Sequence, residues 1–181
     1  MARFAVFLRG INLGARRLKN EALRSSVEAI GFENVAIFRA SGNVVLDANP
    51  SPDPEKVGAR LEAGLADALG YEVPVFLRTK AQVLAIDSHQ PFDAKLVEAS
   101  EGKLQVALLP AAPGSAARRR ALALVTPEDR LAIRGRELYW LPSGRMADAT
   151  LDLRALESLL GPWTMRTKGT IEGIAAKHFA S

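Results

Sequence analysis

The segment between the first apolar run of the chain and its first helical pattern carries the residues best suited to binding chemistry. Residues 8–17 read Leu-Arg-Gly-Ile-Asn-Leu-Gly-Ala-Arg-Arg, so two glycines bracket an asparagine and cations stand on both sides. Glycine lets backbone approach a ligand closely, amides at a helix N-terminus attract anions, and arginine pairs with phosphate through two hydrogen bonds. The candidate anion ligands here are Arg9, Gly10, Asn12, Gly14 and Arg16. The alternative interpretation is an ordinary glycine turn with exposed arginines, and the spacing matches neither a P-loop nor a dinucleotide fingerprint.

Two further polar stretches complete the candidate site. Ser41, Gly42 and Asn43 have the composition of a hairpin turn. In a split β-α-β sheet the first and third strands are antiparallel neighbours, so this turn is expected beside Arg9. A late polar run, residues 164–170, precedes the last helical pattern, and its Arg166 is a further candidate because cations at a helix N-terminus favour phosphate. The competing interpretation of that run is that its threonines cap the helix.

Composition excludes several kinds of site. The chain has no cysteine and only two histidines, His89 and His178, neither of which neighbours a cluster of ligating residues. Disulfide scaffolds, thiolate zinc sites, iron–sulfur clusters and cysteine nucleophiles are therefore excluded. We predict no metal and no cofactor. No Gly-x-Ser-x-Gly elbow or evident carboxylate pair identifies a catalytic residue.

Overall composition is that of a folded globular protein. Of the 181 residues, 48% are hydrophobic and 24% are charged, which excludes a disordered or collagen-like chain. No apolar run reaches the roughly 18 residues of a membrane helix, and the N-terminal segment lacks a signal-peptide cleavage pattern. We expect a cytoplasmic protein without membrane association. The excess of 24 Lys and Arg over 20 Asp and Glu leaves an anionic small molecule or nucleic acid open as partner.

Hydrophobic periodicity and capping residues give the elements that must position these side chains. The first half is predicted in the order strand, helix, strand, strand, helix, strand, which is the split β-α-β motif of ferredoxin-like folds. The strands are predicted over residues 3–9, as a pair within 34–47 and over 73–78. Asn20 is expected to cap the first helix, and Asp53 is expected to cap the second, with Pro54 at its first position. Thr79 and Gln82 form a capping box for a short helix that follows.

The second half repeats this order. Strands are predicted over 103–109, 130–134 and 137–141 and helices over 115–125 and 151–160, whereas residues 161–168 lead into an amphipathic helix without a clear closing strand. We therefore predict an α+β fold of two tandem ferredoxin-like (split β-α-β) subdomains, the second with an extra C-terminal helix. The subdomains are expected over residues 1–87 and 103–181. Residues 88–102, which contain Pro91 and lack periodicity, are expected to connect them.

The same polar stretches carry a family resemblance. Residues 7–14 (Phe-Leu-Arg-Gly-Ile-Asn-Leu-Gly), residues 40–45 (Ala-Ser-Gly-Asn-Val-Val) and a late Thr-x-Arg at 164–166 resemble the bacterial domain-of-unknown-function family 1697. The resemblance covers nearly the whole chain and implies a cytoplasmic α+β protein of this length with no assigned activity. Members usually carry glycine at the position of Ala15, Ser-Lys after the glycine that matches Gly144, and Asn-Trp at the position of Thr167 and Lys168.

Three functions of different class follow from these observations. The first is binding of a phosphorylated small molecule or nucleotide in a cleft lined by glycine, arginine and asparagine, and this is our expectation. The second is RNA binding, because ferredoxin-like sheets serve in RNA recognition, although the aromatic RNP signature is absent. The third is an enzyme of unrecognised type that acts on a phosphorylated substrate through positioning and arginine electrostatics.

Overall fold

The protein folds into two antiparallel four-stranded sheets that carry helices. The computed structural model describes residues 1–39, 42–49, 53–101 and 103–180. The chain divides into two compact units, one comprising Met1–Ala85 with Ile174–Ser181 and the other Ile86–Gly173. Each sheet is built in the order β-α-β-β-α-β, which confirms the predicted α+β fold with two ferredoxin-like sheets and a C-terminal helix.

The first unit contains one sheet in the strand order β2-β3-β1-β4. Its elements are β1 (Ala2–Leu8), α1 (Asn20–Ala29), β2 (Glu33–Ile37), β3 (Asn43–Ala48), α2 (Pro54–Leu69) and β4 (Val75–Thr79), and α3 (Lys80–Ser88) follows. Since β1 lies between β3 and β4 and is antiparallel to both, Phe7 stands opposite Asn43 on one side and Phe76 on the other.

Burial explains why β1 lacks the alternation of a half-buried strand. Phe4 and Leu8 belong to the core that the sheet forms with Val27 of α1 and Leu61 of α2. The intervening Phe7 is also fully buried. A strand covered on both faces needs apolar side chains at every position, so its sequence becomes a continuous apolar run.

Two of three predicted helix caps are present in the structure, and the third is not. The Asp53 side chain accepts a hydrogen bond from the Glu55 amide at the start of α2, as predicted. The capping box is also confirmed, since the Thr79 amide donates to Gln82 Oε1 at 3.0 Å and the Gln82 amide to Thr79 Oγ1 at 3.3 Å. The cap expected at Asn20 is wrong: Lys19 is the N-cap of α1, and Asn20 Nδ2 donates instead to the Arg39 carbonyl.

The second unit repeats the topology with the strand order β6-β7-β5-β8. Its elements are α4 (Ala94–Ala99), β5 (Gln105–Leu108), α5 (Ser115–Leu122), β6 (Arg130–Arg134), β7 (Glu137–Leu141), a 3-10 turn (Met146–Asp148), α6 (Leu153–Leu160) and β8 (Thr164–Thr167). The last helix, α7 (Lys168–His178), begins in this unit, and its residues from Ile174 onward belong to the first unit. Its core lies between the sheet and the two helices α5 and α6, around Trp140 and Leu156. None of the helices that the structure describes has the length and apolar character needed to span a bilayer.

The sequence did not reveal β8, although this strand completes the second sheet. It pairs antiparallel with β5, so that Arg166 stands opposite Val106. β8 spans four residues of sequence Thr-Met-Arg-Thr, which is too short and too polar to show a two-residue period. The edge position permits this composition because one side of the strand has no neighbour in the sheet.

Asp47 joins its own strand, β3, to the two neighbouring strands β1 and β2 through hydrogen bonds. Its carboxylate accepts from Arg3 Nε at 2.8 Å and Arg3 Nη2 at 2.9 Å on β1, and from Asn34 Nδ2 at 2.8 Å on β2. The Arg3 hydrogen bond lowers the pKa of Asp47, burial opposes this, and the Asn34 bond adds to the lowering. At the same place β2 is bulged, because the register shifts between Glu33 and Ala36, and Asn34 has a positive φ of 49°.

Asp47 is expected to make the folded state sensitive to acid. Its pKa is lower in the folded state, so the stabilisation is present above the unfolded pKa and is lost as the pH falls through the folded pKa. Asp47→Asn should lower the free energy of unfolding at pH 7 by about 1–3 kcal/mol and flatten its decrease below about pH 4. Chemical denaturation from pH 7 to 3 measures both, with the exposed Asp67→Asn as control. An unchanged acid dependence in Asp47→Asn contradicts this assignment.

The expected connector over residues 88–102 remains a prediction. The segment contains α4, whose six residues include no buried side chain and are therefore easily opened. A broad-specificity protease is expected to cut first within this segment, which mass spectrometry of the earliest fragments would show. A first cut inside residues 1–87 or 103–181 would contradict the proposed subdomain limits.

Candidate functional site

The first two candidate segments meet at one end of the first sheet, as the topology predicted. The Leu8 amide at the end of β1 donates to the Gly42 carbonyl at 2.9 Å, directly before β3 begins at Asn43. The half-buried Arg9 follows, and its amide donates to the Pro74 carbonyl at 3.0 Å. Ser41, also predicted for this site, lies outside the described residues.

Gly42 is required by the close approach of two backbone segments. Its φ is +73°, and an added Cβ would lie 2.9 Å from Leu8 Cβ and 3.2 Å from Ile11 Cγ2. A residue with a side chain would be strained in this left-handed conformation. Its Cβ would also clash with Leu8 Cβ. Gly10 also has a φ of +73°, and with it the chain turns away from β1.

Asn43 serves the hairpin between β2 and β3. The residue is 2% exposed, and its Nδ2 donates to the Phe38 carbonyl at 3.1 Å. The Phe38 amide in turn donates to the Asn43 carbonyl at 2.9 Å. These bonds show that Asn43 contributes to the local structure, and a ligand contact for it stays a prediction.

The β1–α1 loop, residues 9–19, is held in shape by bonds among its own residues. Asn12 Oδ1 accepts from the Leu18 amide at 2.8 Å, which closes the loop. Arg17 Nη1 donates to the carbonyls of Asn12 at 3.4 Å, Gly14 at 2.9 Å and Arg16 at 2.8 Å. Arg17 therefore holds the loop together through three carbonyls. The hydrogen bonds that fix the backbone of the loop thus come from its own residues.

Arg16 lies on an aromatic ring that sequence inspection missed. Its guanidinium carbon is 3.9 Å from the centroid of the Tyr71 ring, a cation–π contact. The Tyr71 hydroxyl donates to the Ile11 carbonyl at 3.5 Å, which joins the loop to the segment after α2. No local pattern marks Tyr71, because its partners are more than fifty residues away along the chain.

Exposed cations of the loop lie close in sequence to the start of α1. Lys19, the N-cap residue, has extended backbone and makes no side-chain capping bond. Arg16, Arg17 and Lys19 are all exposed, and Glu21 is the acidic residue in the first turn. α1 thus begins without a side-chain cap beside three exposed cations, which is an arrangement that attracts anions.

Arg166 belongs to the second unit, whereas the other described candidates belong to the first. From β8 its Nη1 donates to Thr164 Oγ1 at 2.7 Å and to the Met165 carbonyl at 2.8 Å. Burial lowers the pKa of Arg166 to about 10, and the group remains protonated near neutral pH. The expectation that threonines cap the last helix is also met, since the Thr170 amide donates to Thr167 Oγ1 at 3.2 Å.

His89 has local partners in the second unit. His89 Nδ1 lies 3.0 Å from Arg134 Nη1, and because arginine only donates, the histidine accepts with Nδ1. Its ring contacts Tyr139 edge-on, and burial followed by the charges of Arg134 and Lys168 lowers the pKa of His89. Within the described part of the chain, no group of three His, Cys, Asp or Glu residues is arranged to hold a metal ion.

The fold and loop define an α+β protein with two ferredoxin-like sheets and a cationic loop after its first strand. A family model described as "Protein of unknown function (DUF1697)" matches residues 1–139, so the chain belongs to that family. This confirms the resemblance. The matched region includes the β1–α1 loop and Gly42 and ends in β7, so Arg166 lies beyond it.

A solved structure shares the fold across the whole chain. The conserved bacterial protein SP0830 from Streptococcus pneumoniae is 19% identical in sequence, with 97% of each chain covered and a TM-score of 0.74. No curated protein matches the sequence. The structural likeness concerns the fold.

Gly42→Ala is expected to destabilise the protein more than Gly70→Ala does. Both glycines have a φ near +75°, but an added Cβ meets Leu8 at Gly42 and no atom within 4 Å at Gly70. The shared backbone strain costs about 1–2 kcal/mol, and overpacking at Gly42 adds about 1–3 kcal/mol. Urea denaturation of the two variants isolates the second cost. Equal losses would show that the sheet end tolerates a side chain.

Proposed function

We propose that this protein binds a phosphorylated small molecule or nucleotide through the β1–α1 loop. The observation that carries the proposal is the pairing of exposed cations, Arg16 and Lys19, with an α1 N-terminus that lacks a side-chain cap. A phosphate there would accept from backbone amides and from charged donors. A cytoplasmic location, expected from the sequence, belongs to the same proposal.

The internal bonds of the loop favour binding. Asn12 and Arg17 already hold the backbone, so a ligand does not have to order it. At Gly10 and Gly14 the loop backbone carries no side chain, so a ligand can approach it closely. Gly42 packs against Leu8 at the end of β1, beside the loop. The proposal concerns the first unit, and Arg166 remains a separate candidate on the second.

The RNA-binding and enzyme alternatives have less support. Recognition of RNA by a ferredoxin-like sheet uses exposed aromatic residues on its strands, whereas Phe4 and Phe7 of β1 are both buried. For an enzyme, the described residues around the loop include no identified nucleophile or acid–base pair. Incubation of bound nucleotide or sugar phosphate with the protein, followed by product analysis, separates turnover from binding alone.

Titration with ribose 5-phosphate and with inorganic phosphate tests the proposal. Lys19→Ala should weaken binding of both by about 3- to 10-fold, as expected for one exposed charge-assisted bond. Arg9→Ala should weaken it by about 10- to 150-fold if the more buried guanidinium pairs with the anion, with little change in stability. Arg118→Ala, an exposed arginine on α5, removes the same charge from the other unit and should change nothing.

Calorimetric titration supplies the affinities, and urea denaturation of each variant reports the fold. Absence of phosphate and ribose 5-phosphate binding to the wild-type protein would refute the proposed function. Equal losses of affinity in Lys19→Ala and Arg118→Ala would refute the assignment to this loop.

A further inference from the structure

We infer that the β1–α1 loop selects nucleotides over other phosphorylated small molecules, because a nucleobase stacks on the guanidinium of Arg16. The inference rests on the proposed function and narrows it to one substrate class, the nucleotides. It concerns the ligand's base, whereas the proposed function concerns its phosphate.

The observation behind this is the stack of Arg16 on Tyr71. The guanidinium carbon lies over the tyrosine ring at 3.9 Å from its centroid, so one face of the cationic plane is covered. The Arg16 side chain is nevertheless exposed to solvent. An arginine plane supported from below by an aromatic ring offers its other face for stacking, and nucleobases stack on both aromatic rings and guanidinium planes.

Hydrogen bonds anchor both residues of the stack, Arg16 and Tyr71. The Arg16 amide donates to the Leu13 carbonyl at 3.0 Å, which closes a tight turn with Gly14 at a φ of +59°. The Tyr71 hydroxyl contacts the Ile11 carbonyl at 3.5 Å. Since the side chain already rests on the ring, stacking of a base costs little additional side-chain entropy.

The surroundings of the plane suit an aromatic ligand. Leu13, in the same turn, is 66% exposed, which is a large apolar area for a loop that otherwise carries charge. At Gly14 an added Cβ would meet no atom within 4 Å, so the outside of the turn is open. A base on Arg16 would cover apolar surface that the free protein leaves in water.

The phosphate would then lie toward the start of α1. Lys19 follows Arg16 by three residues, so their Cα atoms are at most about 10 Å apart. Both side chains are exposed. A mononucleotide spans such a distance between base and phosphate, so one molecule can contact the stacking plane and the helix start together.

The arrangement favours a mononucleotide over a nucleic acid strand. A strand that stacks successive bases needs a row of platforms along a basic groove. The loop presents a single stacking platform, that of Arg16 on Tyr71, and the aromatic side chains of β1 in the same unit are buried. A short single-stranded RNA is therefore included in the test as a competing ligand.

The test compares AMP with ribose 5-phosphate, which carries the same sugar and phosphate without a base. Calorimetry on the wild-type protein should show AMP binding about 5- to 150-fold more tightly, the range for stacking of one base. Arg16→Lys keeps the charge and removes the plane, so this ratio should fall toward one while ribose 5-phosphate still binds. Arg24→Lys, the same exchange at an exposed position on α1, should leave the ratio unchanged.

A second variant tests the support beneath the plane. Tyr71→Leu removes the ring, and the AMP preference should fall, whereas Tyr71→Phe removes the hydroxyl alone and should retain most of it. Thermal denaturation checks that each variant is folded. These exchanges leave Lys19 in place, so weak phosphate binding cannot be mistaken for loss of stacking.

The outcomes separate this inference from the function on which it rests. If ribose 5-phosphate and AMP bind the wild-type protein equally, the stacking inference is wrong and the phosphate site stands. If neither binds, both are wrong. An AMP preference that persists in Arg16→Lys places the base elsewhere and overturns the inference, as does RNA binding much tighter than that of AMP and steeply weakened by salt.

Discussion

The contact between the end of β1 and the glycine before β3 governs the geometry of the candidate site. The Leu8 amide and the Gly42 carbonyl share a hydrogen bond of 2.9 Å, and no side chain fits between the two segments. Just after the chain leaves the sheet, Ile11 is 3% exposed and packs in the core of the first unit, which anchors the loop. The following residues 12–17 are exposed, with Arg16 over the Tyr71 ring, and Lys19 is the N-cap residue of α1.

Elements of the fold were predictable where they depend on interactions between residues close in sequence. The Asp53 cap with Pro54 and the Thr79–Gln82 box predicted helix starts correctly, since capping bonds form between residues two or three positions apart. Strands β6 and β7 were predicted at their observed limits around Gly135. β8 was not, because its pairing with β5 is a tertiary contact that four mostly polar residues do not encode locally.

The candidate site was predictable in its position but not in the division of roles. Arg16 and Arg17 are adjacent and chemically identical, yet one stacks on Tyr71 and the other bonds three carbonyls of its own loop. Asn12 was predicted only as a ligand, and its side-chain oxygen also closes the loop by accepting from the Leu18 amide. A ligand contact for Asn12 stays a prediction. These differences depend on the path of the folded backbone and on a tyrosine distant in sequence, neither of which a local pattern contains.

The bulge in β2 has a consequence for how the molecule behaves among its own copies. β2 is an edge strand, and such strands can recruit a further strand from another molecule. Between Glu33 and Ala36 three steps along β2 oppose two along β3, and Asn34 adopts a positive φ. The backbone amides and carbonyls on the open edge of β2 therefore do not match the hydrogen-bonding spacing of a regular strand. This mismatch hinders the addition of a strand from another molecule and so discourages aggregation.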